Sequence, residues 1–356
     1  MGILDKKNIL ILQNGIEHYR KPLYNALSEI YNVTIIHSGV YSSSKEDKFI
    51  EIFVKNTKFI KFNFQHKIIQ EINSKKYNVV ISMFDISWIN SILALYIKPK
   101  EIKYIWWGIG FGKSKIANNI RLFLSKMADA TILYTAQAKN NFSKEVDTAK
   151  LYVANNTFYV KNRIKAYKFK NKDILLFVGT LDTRKENDIL IKIFLEIQEY
   201  ISSNIKLVII GDGKEFKNLK KLSNNNKNIE FKGKIVETLE LENYYQRAIA
   251  SISLGQAGLS VLQSMAYGVP FVTKKSAITG GEITNIQNKT NGILLDDDYD
   301  TIKKDFIYMC NNIEQMRSYG KEAYEYYTNY ATIELMVQEF QNAVNYVLRD
   351  KNVDNS

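Results

Sequence analysis

The sequence predicts an α/β protein made of two units, each a parallel sheet with helices on its faces. Three observations support this prediction. Short runs rich in β-branched residues alternate with longer helical patterns, and this alternation starts a second time after residue 170. The chain becomes polar near residues 160–163, between the two series. Its 356 residues are also enough for two separate hydrophobic cores.

The first half contains five predicted strands and two clear helical patterns. Short apolar runs such as NILIL are typical of strands that are buried on both faces, and an apolar period of 3.6 residues is typical of helices. The predicted strands are residues 8–12, 33–37, 78–82, 103–107 and 130–134, and the predicted helices are residues 21–30 and 115–128.

The second half repeats this order with six strands and then becomes mostly helical, ending in an amphipathic segment. Parallel sheets of this kind bind ligands at the carboxyl ends of their strands, and two such domains are expected to form a cleft between them. The predicted strands are residues 174–179, 206–211, 229–233, 248–253, 270–273 and 292–295, and the closing segment is 332–350.

The composition excludes several classes of protein. Hydrophobic residues make up 46% and charged residues 24%, as in soluble globular proteins. No apolar run reaches the roughly 18 residues of a transmembrane helix, and no signal-peptide pattern opens the sequence. Cys310 is the only cysteine and there are three histidines, so neither a disulfide nor a His/Cys metal cluster is expected. We therefore expect a cytoplasmic protein.

The excess positive charge lies in the first half of the chain. The net charge is +12: residues 1–165 contain 25 Lys and Arg against 12 Asp and Glu, a net of +13, and the remainder contains 24 against 25, a net of −1. A lysine-rich composition explains the number of lysines but explains the asymmetry poorly. An anionic partner of the first half is the alternative that accounts for the asymmetry, and both interpretations stay open. No nucleic-acid-binding motif is present, so nucleic acid is not the expected partner.

Glycine-bearing turns follow four predicted strands. Each alone is weak evidence, because any strand-to-helix turn can use glycine. Four turns at the same edge of two sheets favour a nucleotide-binding site. The turns are residues 13–15, 179–185, 211–213 and 255–258.

The segment GQAGLS (255–260) makes the strongest case for a bound phosphate. Its two glycines lack a Cβ, which lets a ligand approach the backbone, and the free amides of Leu259 and Ser260 begin a helix. The basic pair Arg184 and Lys185 would help to neutralise a diphosphate there. The alternative is a solvated basic pair at a helix start, although that position disfavours cations.

Segments along nearly the whole chain resemble the family-4 retaining glycosyltransferases of the GT-B fold. FVGTLDTRKENDILIKIF is similar to their strand–turn–helix VGRL-x-x-x-KG-x-D-x-L-I-x-A-F, and VIIGDGKEFKNLKKL is similar to their GDG segment. GLSVLQSMAYGVPFVT followed by NGILL resembles EAMA-x-G-x-P-V-V-x and NG-L-L. HYRKPLYNAL, WWGIGFG, LYVANNTF and TIELMVQEF resemble segments of bacterial surface-polysaccharide members.

The resemblance implies two Rossmann-like domains that face each other across a cleft. Residues 1–165 would bind the acceptor, residues 166–331 would bind the nucleotide sugar, and the helix at 332–350 would return to the first domain. The implied reaction moves a sugar, with retention, from a donor such as a UDP- or GDP-sugar to a hydroxyl of a glycan or lipid-linked glycan. The implied pathway is capsule, lipopolysaccharide O-antigen or exopolysaccharide synthesis, and no cofactor or metal is implied.

Two glutamates that most members of this family place eight positions apart are absent. Their positions hold Gly255 and Gln263. The second family glutamate binds the ribose hydroxyls, and Gln263 can keep that role because its amide still has an acceptor oxygen. The work of the first glutamate on the donor sugar would pass to Gln256 or to backbone amides. Thr180 replaces the family's phosphate-binding arginine, for which Arg184 would substitute.

The resemblance also gives the candidate site residues. Lys185 and Arg184 would stabilise the leaving diphosphate. Glu282 is similar to a family glutamate beside the donor sugar, and its alternative is an exposed loop acid. The predicted donor contacts are Gly15, Tyr19, Arg20, Gly179, Thr180, Gly211, Gly213, Ile235, Gly255, Gln256, Ala257, Gly258, Leu259, Ser260 and Gln263.

Two other functions stay open at this point: a sugar-nucleotide epimerase of the same fold, and a catalytically inactive partner subunit that binds a nucleotide sugar.

A further prediction concerns the membrane. Residues 55–67 and 112–126 combine lysines with apolar side chains, a mixture that is typical of contact with an anionic membrane surface. The alternative is that the aromatic side chains face the core and the lysines face water.

Overall fold

The computed structural model describes residues 6–112, 114–235 and 237–349. The chain divides into two compact units. The first runs to Asn156 and also takes the end of the chain from Ile333, and the second comprises Thr157–Thr332. Each unit is a parallel sheet with helices packed on it. The predicted α/β fold class is therefore confirmed.

The first unit contains a seven-stranded parallel sheet and a short antiparallel hairpin. The strands are β1 Asn8–Leu12, β2 Asn32–His37, β3 Ile50–Phe53, β4 Asn56–Phe59, β5 Phe62–Gln65, β6 Val79–Met83, β7 Lys103–Gly108, β8 Ala130–Leu133 and β9 Leu151–Val153. The helices are α1 Lys21–Ser28, α2 Ile68–Asn73, α3 Ile89–Ile97, α4 Lys115–Met127 and α5 Ala136–Phe142. The sheet order is β3-β2-β1-β6-β7-β8-β9, and β4 pairs with β5.

The central strands of this sheet are buried on both faces, which is why they read as continuous apolar runs. Helix α1 packs on one face, and α2, α3 and α4 contribute to the core on the other. Proline in the first turn of α1 and the Ser114 side chain, which accepts from Ala117 N, define the starts of α1 and α4.

The second unit contains a six-stranded parallel sheet and a two-stranded parallel pair. The strands are β10 Ile174–Val178, β11 Lys206–Ile210, β12 Ile229–Gly233, β13 Ala248–Ile252, β14 Gln256–Ala257, β15 Phe271–Lys274, β16 Ile278–Thr279 and β17 Gly292–Leu295. The helices are α6 Asn187–Ile197, α7 Phe216–Leu222, α8 Thr238–Arg247, α9 Ser260–Ala266, α10 Tyr299–Asn311 and α11 Ile313–Tyr330. The sheet order is β12-β11-β10-β13-β15-β17, and β14 pairs with β16.

The last helix, α12 Ile333–Leu348, packs on the first unit. The ring of Phe340 lies 4.9 Å from that of Trp107 on β7, in an edge-to-face contact. The sequence places this helix at 332–350, and Asp350 lies outside the described residues. No helix within the described ranges is long and apolar enough to cross a membrane.

The division between the units falls after Asn156, whereas the sequence places it after residue 165. The intervening segment packs on the second unit. Tyr327 Oη donates to Phe158 O at 2.8 Å, and Ala166 N donates to Tyr267 O at 2.9 Å. The polar residues that follow Val160 are therefore a surface loop of the second unit.

Candidate functional site

Three of the predicted glycine turns meet at the carboxyl edge of the second sheet. Gly179 N donates to Ile210 O at 3.0 Å, and Leu181 N donates to Asp212 O at 2.9 Å, which joins the turns after β10 and β11. The turn after β13 joins the same group because Gly255 N donates to Lys185 O at 3.2 Å. Residues far apart in the sequence thus form one continuous surface.

Gly211 and Gly213 are explained by the packing of the turns on each other. A Cβ on Gly211 would lie 1.8 Å from Gly179 O, and a Cβ on Gly213 would lie 2.2 Å from Leu181 O. Gly211 also has a φ of 143°, which side chains rarely adopt. These two predicted donor contacts therefore have a structural reason that needs no ligand.

Lys185 ends the 3-10 turn Thr183–Lys185 and lies beside Gly179, whose Cβ would be 3.9 Å from Lys185 Cε. Burial lowers the pKa of the Lys185 amine, while the charges of Asp182 and Glu282 act in the opposite direction. Within the described part of the chain this amine makes no hydrogen bond or ion pair. A half-buried cation without a partner is suited to binding an anion.

Arg184 differs from its neighbour because it already has a partner. Its Nη2 lies 2.7 Å from Asp182 Oδ2 and its Nε donates to Asp182 Oδ1 at 3.3 Å. The side chain is 61% exposed. The structure thus places the predicted basic pair in two different environments, with only Lys185 partly enclosed and unbonded.

The segment at the start of α9 presents several unbonded donors. The N–H groups of Gly258, Leu259 and Ser260 have no backbone acceptor in the ranges that the structure describes. Ser260 Oγ is buried without a hydrogen-bond partner. A Cβ on Gly258 would meet nothing within 4 Å, so there is open space beside this glycine.

The other predicted donor contacts of the second unit have varied surroundings. Gln256 and Ala257 form β14 and pair with β16. Gln263 is buried on α9, and its side-chain amide makes no hydrogen bond among the described residues. Thr180 is exposed, and Ile235 is a partly buried residue packed on the core.

Glu282 is buried, at 6% exposure, so it is not the exposed loop acid of the alternative interpretation. Gly280 N donates to its Oε2 at 2.9 Å, and Thr279 Oγ1 donates to the same oxygen at 3.4 Å. Its charge acts on Lys185. The carboxylate thus belongs to the electrostatic surroundings of the lysine.

Two further charged residues lie at this edge, Glu186 and Lys274, with Lys274 Nζ 2.6 Å from Glu186 Oε2. The sequence motifs do not single them out. The available signal is that Glu186 stands where the family pattern quoted above has glycine.

The predicted residues of the first unit lie at the carboxyl edge of its own sheet. The Arg20 guanidinium is 4.7 Å from the Trp107 ring, and its Nη2 donates to Tyr134 Oη at 3.0 Å. Tyr19 also lies beside it, with its ring centroid 5.5 Å from the guanidinium. A Cβ on Gly15 would be 3.2 Å from Val40 N and O, so this glycine packs closely against the backbone of Val40. Aromatic rings therefore hold Arg20 in place.

Comparison of the sequence with known proteins gives two findings. Residues 160–326 match the family described as glycosyl transferases group 1. A relative, an uncharacterized glycosyltransferase of Methanocaldococcus jannaschii, is 28% identical over 256 residues. That match covers 64% of this chain and spans 64% of the relative's length.

Solved structures share the fold over nearly the whole chain. Anabaena HepE in complex with UDP superposes with a TM-score of 0.70 at 12% identity, covering 95% of this chain and 99% of that one. The apo form of the lipopolysaccharide outer core galactosyltransferase WaaB superposes with a TM-score of 0.69 at 14% identity, covering 96% and 100%. At sequence identities this low, the structural similarity shows only that this chain has the same fold as those proteins.

The fold is that of these solved glycosyltransferases, and the second unit is similar to glycosyl transferases group 1. The matched residues 160–326 contain every turn that meets around Lys185. The comparisons do not favour the epimerase or the inactive subunit.

Proposed function

We propose that the protein is a retaining glycosyltransferase that moves a sugar from a nucleotide-sugar donor to a hydroxyl of a glycan or lipid-linked glycan. The observation that carries this proposal is the group of unbonded hydrogen-bond donors at the carboxyl edge of the second sheet. The group comprises the Lys185 amine, the Ser260 hydroxyl and the backbone amides of 258–260. All of these lie in the matched domain.

The chemistry of the reaction matches these groups. The bond between sugar C1 and the diphosphate breaks, its electron pair leaves with the diphosphate, the acceptor oxygen bonds to C1, and the proton of the acceptor hydroxyl passes to solvent. Negative charge therefore grows on the leaving diphosphate. Fixed donors aimed at such charge are usually the largest contribution to catalysis. Lys185 and the amides would supply them, so the proposal assigns no metal and no other cofactor.

The buried position of Lys185 strengthens this assignment. Burial lowers the pKa of its amine, because a charged group is less stable where water is partly excluded. A bound diphosphate would reverse this effect, because it stabilises the charged form. The interaction would also be stronger there than between exposed charges.

The donor base and the biological role are finer parts of the proposal. HepE was solved with UDP, which makes a UDP-sugar the first donor to test and a GDP-sugar the second. WaaB is a lipopolysaccharide galactosyltransferase, which supports a role in surface-polysaccharide synthesis. In such a pathway, the protein would bind its acceptor in the cytoplasm, at the inner face of the cell membrane.

An apolar face of the first unit supports contact with that membrane. Along α4, four apolar side chains are exposed: Ile116, Ile120, Phe123 and Met127. On α3, Leu93, Tyr96 and Ile97 are exposed as well. Both helices pack on the same face of the sheet through other residues, such as Leu95 and Leu122. We call these seven exposed residues the α3–α4 face.

The charge around this face favours an anionic membrane. Residues 89–127 contain seven lysines and arginines and one acidic residue, Glu101. Lys98 and Lys126 form ion pairs with Asp129 and Glu145, which lie outside this range, and Lys113 lies outside the described residues. A second copy of the chain would bring like charges together, whereas anionic headgroups would attract them. The other predicted stretch forms the β4–β5 hairpin, on which Phe59 is exposed and Phe62 and Phe64 are partly buried.

Vesicle flotation tests the membrane contact. The protein should float with phosphatidylglycerol-containing vesicles at low salt and less at high salt, because salt screens surface charges over about 8–10 Å. The double variant Ile116→Ser/Phe123→Ser should float less. Leu239→Ser, on the exposed surface of the second unit, is the matched control. Wild-type protein that stays unbound at low salt would remove the membrane from the proposal.

Nucleotide release tests the central reaction. Purified protein is incubated with UDP- and GDP-sugars, with and without a panel of alkyl glycoside and lipid-linked acceptors. The proposal expects nucleotide release that depends on acceptor, and a product whose anomeric configuration by NMR equals that of the donor. An epimerase would convert the nucleotide sugar without acceptor, and an inactive subunit would bind it without release.

A further inference from the structure

The side chain of Glu186 lies directly over Gly255. A Cβ built on Gly255 would be 2.7 Å from Glu186 Cγ and 2.9 Å from its Cδ. Position 255 has no room for a side chain, because this Cβ would also lie 2.3 Å from the backbone oxygen of Arg184. In the family patterns above, position 186 is glycine and position 255 is glutamate, so here the acidic side chain stands on the opposite turn.

The backbone of Glu186 is held in an unusual conformation. Its φ of 55° and ψ of 38° lie in the left-handed region, which residues with a side chain rarely adopt. Glu186 N donates to Thr183 O at 3.2 Å, and Glu186 O accepts from Leu190 N at 3.2 Å. Such strained positions cluster at functional sites, where the surrounding structure fixes them.

Lys274, at the end of β15, fixes the carboxylate. Its Nζ lies 2.6 Å from Glu186 Oε2 and 3.6 Å from Asp297 Oδ1, and only 12% of the lysine side chain is exposed. Glu186 Oε2 is buried. The Glu186 side chain as a whole is still 30% exposed. This arrangement leaves Oε1 as the oxygen that a ligand can reach.

The position of this ion pair relative to Lys185 indicates its ligand. Glu186 directly follows Lys185 in the chain, and Gly255 N is bonded to Lys185 O. If Lys185 binds the diphosphate, the sugar attached to that diphosphate is the next group along the donor. A carboxylate is a strong acceptor for sugar hydroxyls. We propose that Glu186, oriented by Lys274, binds hydroxyl groups of the donor sugar.

This inference rests on the proposed function and adds to it a residue for donor-sugar recognition. The inference divides the affinity for the donor into a contribution from the nucleotide and a contribution from the sugar. The nucleotide and diphosphate would be bound by groups other than Glu186, and the increment that the sugar adds would depend on its carboxylate. Glu186→Gln removes the charge but keeps the shape over Gly255. Glu199→Gln is a matched control, because Glu199 is exposed in the 3-10 turn Gln198–Tyr200 that follows α6.

Calorimetric titration with UDP and with UDP-glucose, UDP-galactose and UDP-N-acetylglucosamine tests this assignment, with GDP and GDP-mannose as a second series. The measured quantity is the ratio of the Kd for the nucleotide to the Kd for the best nucleotide sugar. Glu186→Gln should lower this ratio by about tenfold, the scale of a hydrogen bond to a charged group, and leave the Kd for the nucleotide within about twofold. Lys274→Met should act in the same direction, and Glu199→Gln should change neither.

The possible results distinguish a failure of this inference from a failure of the proposed function. An unchanged ratio in Glu186→Gln, with a melting temperature equal to that of the wild type, would overturn the role of Glu186. A wild-type ratio near one would do the same, because no sugar contact would then exist to assign. Wild-type protein that binds neither nucleotide series would overturn the proposed function, and the inference with it.

Discussion

The guanidinium of Arg184 is held by the carboxylate of Asp182, with Nη2 2.7 Å from Oδ2 and Nε 3.3 Å from Oδ1. This pairing distinguishes Arg184 from Lys185, the next residue. An arginine that is bonded on one side and 61% exposed can offer a diphosphate less than a partly enclosed amine without a partner. The two basic residues should therefore differ in their importance.

Arg184→Ala is accordingly expected to have a small effect on donor binding. The Kd for the nucleotide sugar should rise no more than about threefold, the scale of a screened surface interaction. Fluorescence or calorimetric titration at two salt concentrations measures it. A loss of fiftyfold or more would show that Arg184 leaves Asp182 to bind the diphosphate.

Two glycines of the same segment should behave differently when they are replaced by alanine. A Cβ at Gly255 would lie 2.3 Å from Arg184 O, so Gly255→Ala should destabilise the fold by about 1–3 kcal/mol. A Cβ at Gly258 meets nothing within 4 Å, so Gly258→Ala should keep the melting temperature but weaken nucleotide binding. Calorimetric melting and titration of both variants measure these effects. Equal stability of the two variants would contradict the packing at Gly255.

Gln263 should contribute one hydrogen bond to the nucleotide. It is buried on α9 with an unbonded amide, so Gln263→Ala should cost about 1–2 kcal/mol of nucleotide binding. Gln263→Glu should be tolerated, because glutamate keeps the acceptor oxygen. Comparing UDP with its 2′,3′-dideoxy analogue locates the contact. If the alanine variant still prefers the ribose compound by the wild-type factor, Gln263 does not bind the ribose.

Lys172 should make stability depend on pH. Burial, with repulsion from Arg317, lowers the pKa of its amine to about 7, while the amine donates to Gln246 O at 2.9 Å. The unfolded value is near 10.4, so between about pH 7 and pH 10 the unfolded chain binds more protons than the folded one. Stability therefore rises with pH across that window, by up to about 1–3 kcal/mol from this group.

The matched comparison for this effect uses Lys172→Met and the exposed Lys170→Met. The melting temperature of the wild type, relative to that of Lys172→Met, should rise between pH 6.5 and pH 9.5. The difference between the wild type and Lys170→Met should stay constant. If the difference in melting temperature between the wild type and Lys172→Met is also independent of pH, the amine of Lys172 titrates normally in the folded protein.

Central strands were predictable because burial on both faces gives them a continuous apolar run. NILIL and ILLFV became β1 and β10 within one residue of the predicted bounds. The strands at 50–65 gave no such signal. β3 is an edge strand with partly exposed residues, and β4 and β5 pair with each other and are themselves mostly exposed or partly exposed. Their pairing depends on tertiary contacts more than on their own composition.

The candidate site was predictable where one segment carried the information. The glycines and amides of 255–260 fall in a local pattern, and Lys185 falls in another. The contact between Glu186 and Gly255 was not predictable, because it joins two turns that are distant in the sequence. The pairing of Arg184 with Asp182 depends on the local 3-10 turn, whose shape a motif does not specify.

The measurement that tests the central claim most directly is donor binding by wild type and Lys185→Ala against a panel of UDP-, GDP- and dTDP-sugars. Melting temperature reports binding, because a ligand of the folded state raises it by mass action. The account predicts that one nucleotide series raises the melting temperature of the wild type, and that Lys185→Ala loses that increase and lowers turnover at least about a hundredfold. Nucleotide affinity and turnover within twofold of wild type in Lys185→Ala would contradict it.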